Sequence, residues 1–279
     1  ILRDNYIMAI KLGSSDISKV YLGATEVAKI YLGATAIYSA VDADYQAVLT
    51  YATGLGYTLP SASQQTIQNN LVKSLKTEGF WSRLDSLGMF ATNGDSDFAL
   101  IDWKRLSGMS GVNAPAFTTN VGFQGDGSTS YINTNFNPST DASNYTQNNA
   151  GISIYQTILN SYMVGTSSFS NGELRLRHSG SDMQINGSID NTVNVITTQV
   201  GNAHLDRISS TQIVDQMDST LGTVRTNAST GVPQNDIWVL RLTSLESSGQ
   251  VSFFCARNSF TESEKNTLNG IIDTYLAAI

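Results

Sequence analysis

Acid–base, nucleophilic and metal chemistry draw on a short list of side chains, and this chain supplies few of them at workable spacing. Its two histidines, His178 and His204, each sit in or at the end of a run that alternates like a strand. Neither belongs to an H-x-x-x-H pair or a Cys/His cluster, which argues against zinc and for a surface or half-buried strand position. The single Cys255 lies in the apolar run VSFFCA, reads as a buried inert thiol, and rules out a disulfide within the chain. No G-x-S-x-G elbow is present, since SGMSGV around Ser110 misses the final glycine. Sandwich folds that cleave polysaccharides use paired carboxylates. Of the glutamates Glu26, Glu78, Glu173, Glu246, Glu262 and Glu264, only the last two are close together, and helix capping explains them. The chain is therefore expected not to be an enzyme. No catalytic, cofactor-binding or metal residue is assigned to it.

Oxygen-rich loops are the remaining chemistry. NGDSD, with Asp95 and Asp97, and QGDGS, with Asp126, could ligate calcium, but Asx-turns use the same letters and no D-x-D-x-D-G loop occurs. Three sequons, at Asn144, Asn186 and Asn227, read as chance in a chain rich in Asn, Ser and Thr. GDGSTSYINTNFNPST holds what a sugar needs in Asp126, Tyr131, Asn133 and Asn135. The competing reading is a plain strand with Tyr131 or Ile132 turned inward, so the glycan-binding residues stay unknown at this stage.

Composition narrows the partners. Charged residues make up 14% and the formal net charge is -7, with the sixteen basic residues scattered, so no footprint for nucleic acid can be drawn. No apolar stretch approaches the ~20 residues of a membrane span, and ILRDNYIMAIKLG lacks the layout of a signal peptide. The first residue is Ile1 and not Met, which leaves room for an upstream segment.

The elements that must position these residues begin with a repeat. Leu12-Gly13, Leu22-Gly23 and Leu32-Gly33 recur every ten residues. An even period keeps equivalent side chains on one face of a strand, so residues 1–40 are expected to form a small β-meander. Strands this short bury too little alone and should lean on another chain or domain. Residues 41–92 turn helical. Asp44 caps a helix carrying Tyr45, Val48, Leu49 and Ala52; Ser61 and Gln64 open a second with Ile67, Leu71 and Leu75; FWSRLDSLG is expected to form a third. From residue 93 onward alternating runs such as ELRLRH, SDMQIN, HLDRIS, TQIVDQMD, DIWVLRL and VSFFCA predict an antiparallel β-sandwich. Thr261 and Glu264 then open a closing helix whose Leu268, Ile271, Ile272, Tyr275, Leu276 and Ile279 form one apolar face.

VYLGATEVAKIYLGATAIYSA, SLKTEGFWSRLD followed by DFALIDWK, FQGDGSTSYINTNFNPST and FFCARNSFTESEKNTLNGIIDTYL together resemble virion structural proteins of tailed bacteriophages. These include head fibres, capsid decoration proteins and tail or baseplate proteins. The resemblance implies a concanavalin A-like or laminin G-like lectin sandwich, a jelly roll, with Trp81 and Trp103 as buried anchors. It implies localisation on the phage particle after synthesis in a bacterial cytoplasm, with other virion subunits as partners. Residues 1–40 would be the attachment module, giving a homotrimer, and 93–279 the head that meets host or mucosal polysaccharide. A purely structural decoration protein is the alternative, and a polysaccharide hydrolase ranks below both.

Overall fold

The computed structural model describes residues 11–12, 15–16, 21–22, 25–27, 29–32, 35–160, 162–168, 172–177, 183–190 and 200–279. His178 and the turn expected at Ser179-Gly180 lie outside them. The chain divides into two units, Ile1–Ala43 and Asp44–Ile279.

In the first unit the period-ten repeat appears as strand pairing. Lys11–Leu12 pairs with Ser15–Asp16, Tyr21–Leu22 with Thr25–Glu26, and Lys29–Leu32 with Thr35–Ser39, all antiparallel. Leu12 faces Ser15, Leu22 faces Thr25 and Leu32 faces Thr35, so the register itself repeats. The expected meander is thus three separate two-stranded sheets among the described residues.

The second unit is mainly β, an antiparallel sandwich with helices on one side. Its larger sheet has eleven strands among the described residues. The main path runs Thr220–Leu221, Gln212–Met217, Gly201–Ser209, Ala150–Ile158, Gln250–Arg257, Leu84–Met89, Ile101–Asp102 and Ser107–Gly108. The other sheet has six, in the order Ser110–Val112, Tyr131–Asn133, Trp238–Val239, Tyr162–Gly165, Leu174–Arg177 and Gln184–Ile185. Period-two alternation sorts the larger sheet's side chains into two cores. Ile152, Ile154, Leu205, Phe254 and Ala256 meet Ile132, Val164, Leu176 and Val239 between the sheets. Leu87, Met89, Phe253 and Cys255 pack instead against helices α1 (Ala43–Leu55), α2 (Ala62–Thr77) and α3 (Glu262–Leu276). The Gln250–Arg257 strand is therefore buried on both faces, which is why VSFFCA is apolar but for Ser252, whose hydroxyl donates to Val121 O.

Two of the helices start at their expected caps; in α1 Asp44 lies in the first turn after Ala43 and is not the cap expected of it. Ser61 Oγ accepts from Gln64 N at 3.4 Å to start α2, and Thr261 with Glu264 forms a reciprocal capping box at α3. Tyr45, Val48, Leu49 and Ala52 of α1 are buried as their spacing predicts. The expected third helix is a correction. Only Trp81–Arg83 makes a 3₁₀ turn, and Leu84–Met89 is a strand between Gln250–Arg257 and Ile101–Asp102. Ladder pairing on both edges and burial on both faces outweigh the i, i+3 spacing of Leu84 and Leu87. Trp81 and Trp103 are buried in the helix-side core, as the resemblance implied. No helix among the described residues is long and apolar enough to cross a membrane.

Candidate functional site

Two constellations bring chemistry-bearing side chains together, one sealed and one open. The sealed one lies between the eleven-stranded sheet and α3. Register places Gln216, His204, Ser153 and Cys255 side by side across four strands, on the helix-facing side. His204 Nδ1 is 2.8 Å from Ser153 Oγ and Nε2 is 2.7 Å from Asn269 Oδ1 on α3. Arg257 donates to Ser153 Oγ from Nε at 3.1 Å and from Nη2 at 2.8 Å, and its Nη1 pairs with Asp206 Oδ1 at 2.5 Å. Lys265 Nζ stands 3.7 Å from Asp206 Oδ2 and Phe260 N donates to Oδ1 at 3.0 Å, so the buried charges are compensated. The serine–histidine pair resembles a nucleophile and its base, yet His204 has 0% exposure and Ser153 1%, leaving no approach for a substrate. This corrects the surface or half-buried position expected for His204: α3 covers the strand face that alternation alone assigns to solvent. Burial lowers the imidazole pKa to about 3 and raises the Cys255 thiol to about 11, as expected for an inert thiol.

The oxygen-rich loops are turns and caps. Asp126 Oδ1 accepts from the backbone of Ser128, Thr129 and Ser130 at 2.7 to 2.9 Å, and these bonds hold its carboxyl well below the usual carboxylate range. Asp95 caps the short Ser96–Ala99 helix through Phe98 N at 2.8 Å and also accepts from Thr58 N at 2.6 Å. Among the described residues no three His, Cys, Asp or Glu side chains stand together as a metal would need. Two of the sequon asparagines, Asn186 and Asn227, are buried, and Asn144 donates to Asp85 Oδ1 and Ser82 O.

The open constellation is on the six-stranded sheet. Ile132, Val239, Val164 and Leu176 lie across from one another and face the core, so Asn133, Trp238, Gly165 and Arg175, also in register, face the other way. Asn133 and Trp238 line a groove of about 240 Å³ together with Asn137, Ser167, Gln234, Asn235 and Asp236. Two segments far apart in sequence run alongside each other to form it. Thr134 N and Oγ1 donate to Ile237 O at 3.0 and 2.7 Å, Ile237 N donates to Phe136 O at 2.9 Å, and Asn137 Nδ2 donates to Gln234 O at 2.8 Å. Asn133 Nδ2 donates to Asp236 Oδ2 at 3.1 Å. Asn135 adopts φ 52, a conformation asparagine tolerates, and anchors the turn through Gly108 O at 2.9 Å.

The aromatic part of the groove is braced by a second ring and a cation. The rings of Trp238 and Tyr131 lie 5.2 Å apart, tilted by 51°. The Arg241 guanidinium carbon is 4.6 Å from the first centroid and 4.4 Å from the second. Arg241 Nε donates to Thr243 O at 2.7 Å and pairs with Glu246 Oε1 at 3.3 Å across the Arg241–Leu242 and Leu245–Glu246 hairpin. Leu240 (φ 66) and Thr243 (φ 54) flank that arginine in the left-handed region, which is strained for a β-branched residue. Planar amides, a carboxylate and a half-exposed indole suit vicinal hydroxyls and the C–H face of a sugar ring. Of the four residues singled out in sequence, Asn133 lines the groove and Tyr131 supports its tryptophan, while Asp126 and Asn135 hold turns. Trp238 and Asp236 were missed, for DIWVLRL reads as an ordinary strand.

A second groove, of about 280 Å³, runs between α2 and α3 and is lined by Ile67, Leu71, Ile271, Tyr275 and Ala278 with a few small polar residues. It contains no ionisable group besides the Tyr275 phenol, whose hydroxyl donates to Ala91 O at 2.6 Å.

No protein-family model matches the chain, and no curated protein matches it. Solved structures of similar fold include a Trypanosoma rangeli sialidase in complex with sialic acid (13% identity, TM-score 0.49, covering 75% of this chain and 39% of that one). They also include domain 4 of a GH43 extracellular arabinanase from Geobacillus stearothermophilus in complex with arabinotriose (11%, 0.44, 67% and 98%). A third is the botulinum neurotoxin serotype D binding domain (12%, 0.47, 68% and 52%). The chain spans under two fifths of the sialidase's length. The expectation that the chain is not an enzyme is corrected: a sialidase and a domain of an arabinanase are among the chains it is similar to. Carboxylates that a sheet brings together need no local spacing, and a missing motif does not exclude them. At these identities and scores the likeness adds nothing finer than the β-sandwich architecture already seen in the chain's own sheets.

Proposed function

We propose that the protein is a surface component of a tailed-bacteriophage particle that binds glycans through the Asn133–Trp238 groove. In this reading residues 1–40 join three copies, and the sandwich is the glycan-binding head. The observation that carries the glycan part is the groove itself: amides, one carboxylate and one braced indole converge on the outward face of a rigid sheet. The virion part is supported by the resemblance of the sequence segments and by the hairpin register repeating every ten residues. Heads linked in threes would raise a weak single-site affinity through effective concentration.

A glycan array probed with the full chain and with Trp238→Ala tests the first part. Binding that the substitution weakens at least tenfold, about 1.4 kcal/mol, supports it, and the absence of binding by the wild type overturns it. Sedimentation of the full chain tests the second part, a strictly monomeric species at high concentration being the adverse result.

A further inference from the structure

We propose that the groove selects uncharged and amine-bearing sugars and rejects acidic ones, an inference that rests on the glycan-binding reading above. Among the described side chains that line it only one ionises, and it is an acid: Asp236, aligned by Asn133 Nδ2 at 3.1 Å. Behind the lining residue Asn235 lies a second acid. Glu173 is 4% exposed, receives Asn235 Nδ2 on Oε1 at 3.4 Å, and has no hydrogen-bond partner on Oε2.

None of the cations nearby is among the described residues that line the groove. Arg241 packs against the Tyr131 and Trp238 rings and is paired with Glu246 at 3.3 Å. Arg105 reaches Asn135 O at 2.6 Å but is paired with Asp141 at 3.3 Å. Arg175 shares the outward row of the sheet yet is buried and does not line the groove. A sugar hydroxyl can donate to Asp236 and an ammonium can pair with it, whereas a carboxylate or sulfate would meet like charge with no lining cation to offset it. The net charge of -7 works in the same direction.

The test is an array of matched glycans in which one member of each pair carries a sialic acid, uronate or sulfate on the same neutral core, with amino-sugar cores alongside. The full chain at low salt should bind neutral and amino-sugar members about tenfold or more tightly than their acidic partners. That preference should shrink in about 0.5 M salt, where the screening length falls to roughly 4 Å. Asp236→Asn should narrow the ratio to about threefold or less, whatever it does to absolute affinity. Acidic members bound as tightly as neutral ones, or a preference that neither salt nor Asp236→Asn changes, would overturn the inference and leave glycan binding standing. No binding of any member, or binding indifferent to Trp238→Ala, would overturn the parent reading and this inference with it. The salt arm uses the unaltered chain and so decides the matter even where Asp236→Asn fails to fold.

Discussion

His204 Nε2 lies 2.7 Å from Asn269 Oδ1, and that contact joins the middle of the eleven-stranded sheet to α3. The orientation of the amide is set from its other end, because Asn269 Nδ2 donates to Asp218 O at 2.9 Å. Its oxygen can only accept, so Nε2 carries the ring proton and Nδ1 accepts from the Ser153 hydroxyl. That hydroxyl in turn receives two Arg257 N–H groups. Each polar atom of the ring has one partner, and the neutral ring is the form the site accommodates.

The pH dependence of stability follows. Burial, and then the Arg257 charge, lower the folded-state pKa of His204 to about 3 from an unperturbed 6.5. A base depressed in this way contributes stability that is complete above about pH 6.5 and erodes by about 1.4 kcal/mol per pH unit as pH falls toward the folded value. Between pH 7 and 4.5 the wild type should lose about 2 to 3 kcal/mol more than His204→Gln in denaturant unfolding. Parallel losses would show that another group is titrating.

Gly151 is where the sealed network comes closest to backbone. A Cβ there would overlap the Arg257 guanidinium and the Asp206 carboxylate, both with 0% exposure. Gly151→Ala should cost about 3 kcal/mol, because neither charge can leave its partner. Gly54, inside α1 with nothing within 4 Å of its built Cβ, is the control: Gly54→Ala should stabilise by about 0.5 to 1 kcal/mol. Thermal denaturation of the two variants should therefore move in opposite directions.

Arg241→Lys retains the charge beside Glu246 and removes the planar group that packs against both rings. Glycan affinity should fall by about threefold to tenfold while the melting temperature moves only a few degrees, since the stack is near the surface. Titration calorimetry against the best array ligand reads the first quantity and calorimetric scanning the second. A large drop in melting temperature with unchanged affinity would make Arg241 a structural residue only.

Asn186 holds a loop against the sandwich. It accepts from Tyr145 Oη at 2.8 Å, donates to Thr146 O at 2.9 Å and Gln147 O at 3.1 Å, and sits at φ 57. Asn186→Ala should destabilise by about 2 to 4 kcal/mol, and Asn186→Gly by roughly 1 kcal/mol less because glycine accepts that φ without strain. Equal losses in chemical denaturation would assign the whole effect to the hydrogen bonds.

The helices α2 and α3 were legible because each couples a cap to an apolar stripe, two signals carried by residues three or four apart, whereas α1 was legible from its stripe alone. The Leu84–Met89 strand was not. In LDSLGM both faces are covered, so alternation is absent, and its Asp85 looks solvated although it accepts from the backbone of Ser143, Asn144 and Tyr145. His204 was misplaced for a related reason: a polar residue in an alternating strand signals solvent only while no second layer covers that face. The groove was half legible. Asn133 and Tyr131 lie in a segment rich in sugar-binding residue types, but the segment from Gln234 to Trp238 that completes it is about a hundred residues away and carries no motif of its own. Only the fold pairs them.

The helices α1 and α3 pack into one core on the side of the larger sheet opposite the smaller one. A tether fixed at residue 279 thus meets the second unit on its helical side, while the groove opens on the far side of both sheets. Two sheets stacked at about 10 Å put the thickness of the whole sandwich between the two. Labels, surface immobilisation or fusion at that position should leave the groove unobstructed, and a lattice of copies immobilised there would present it outward.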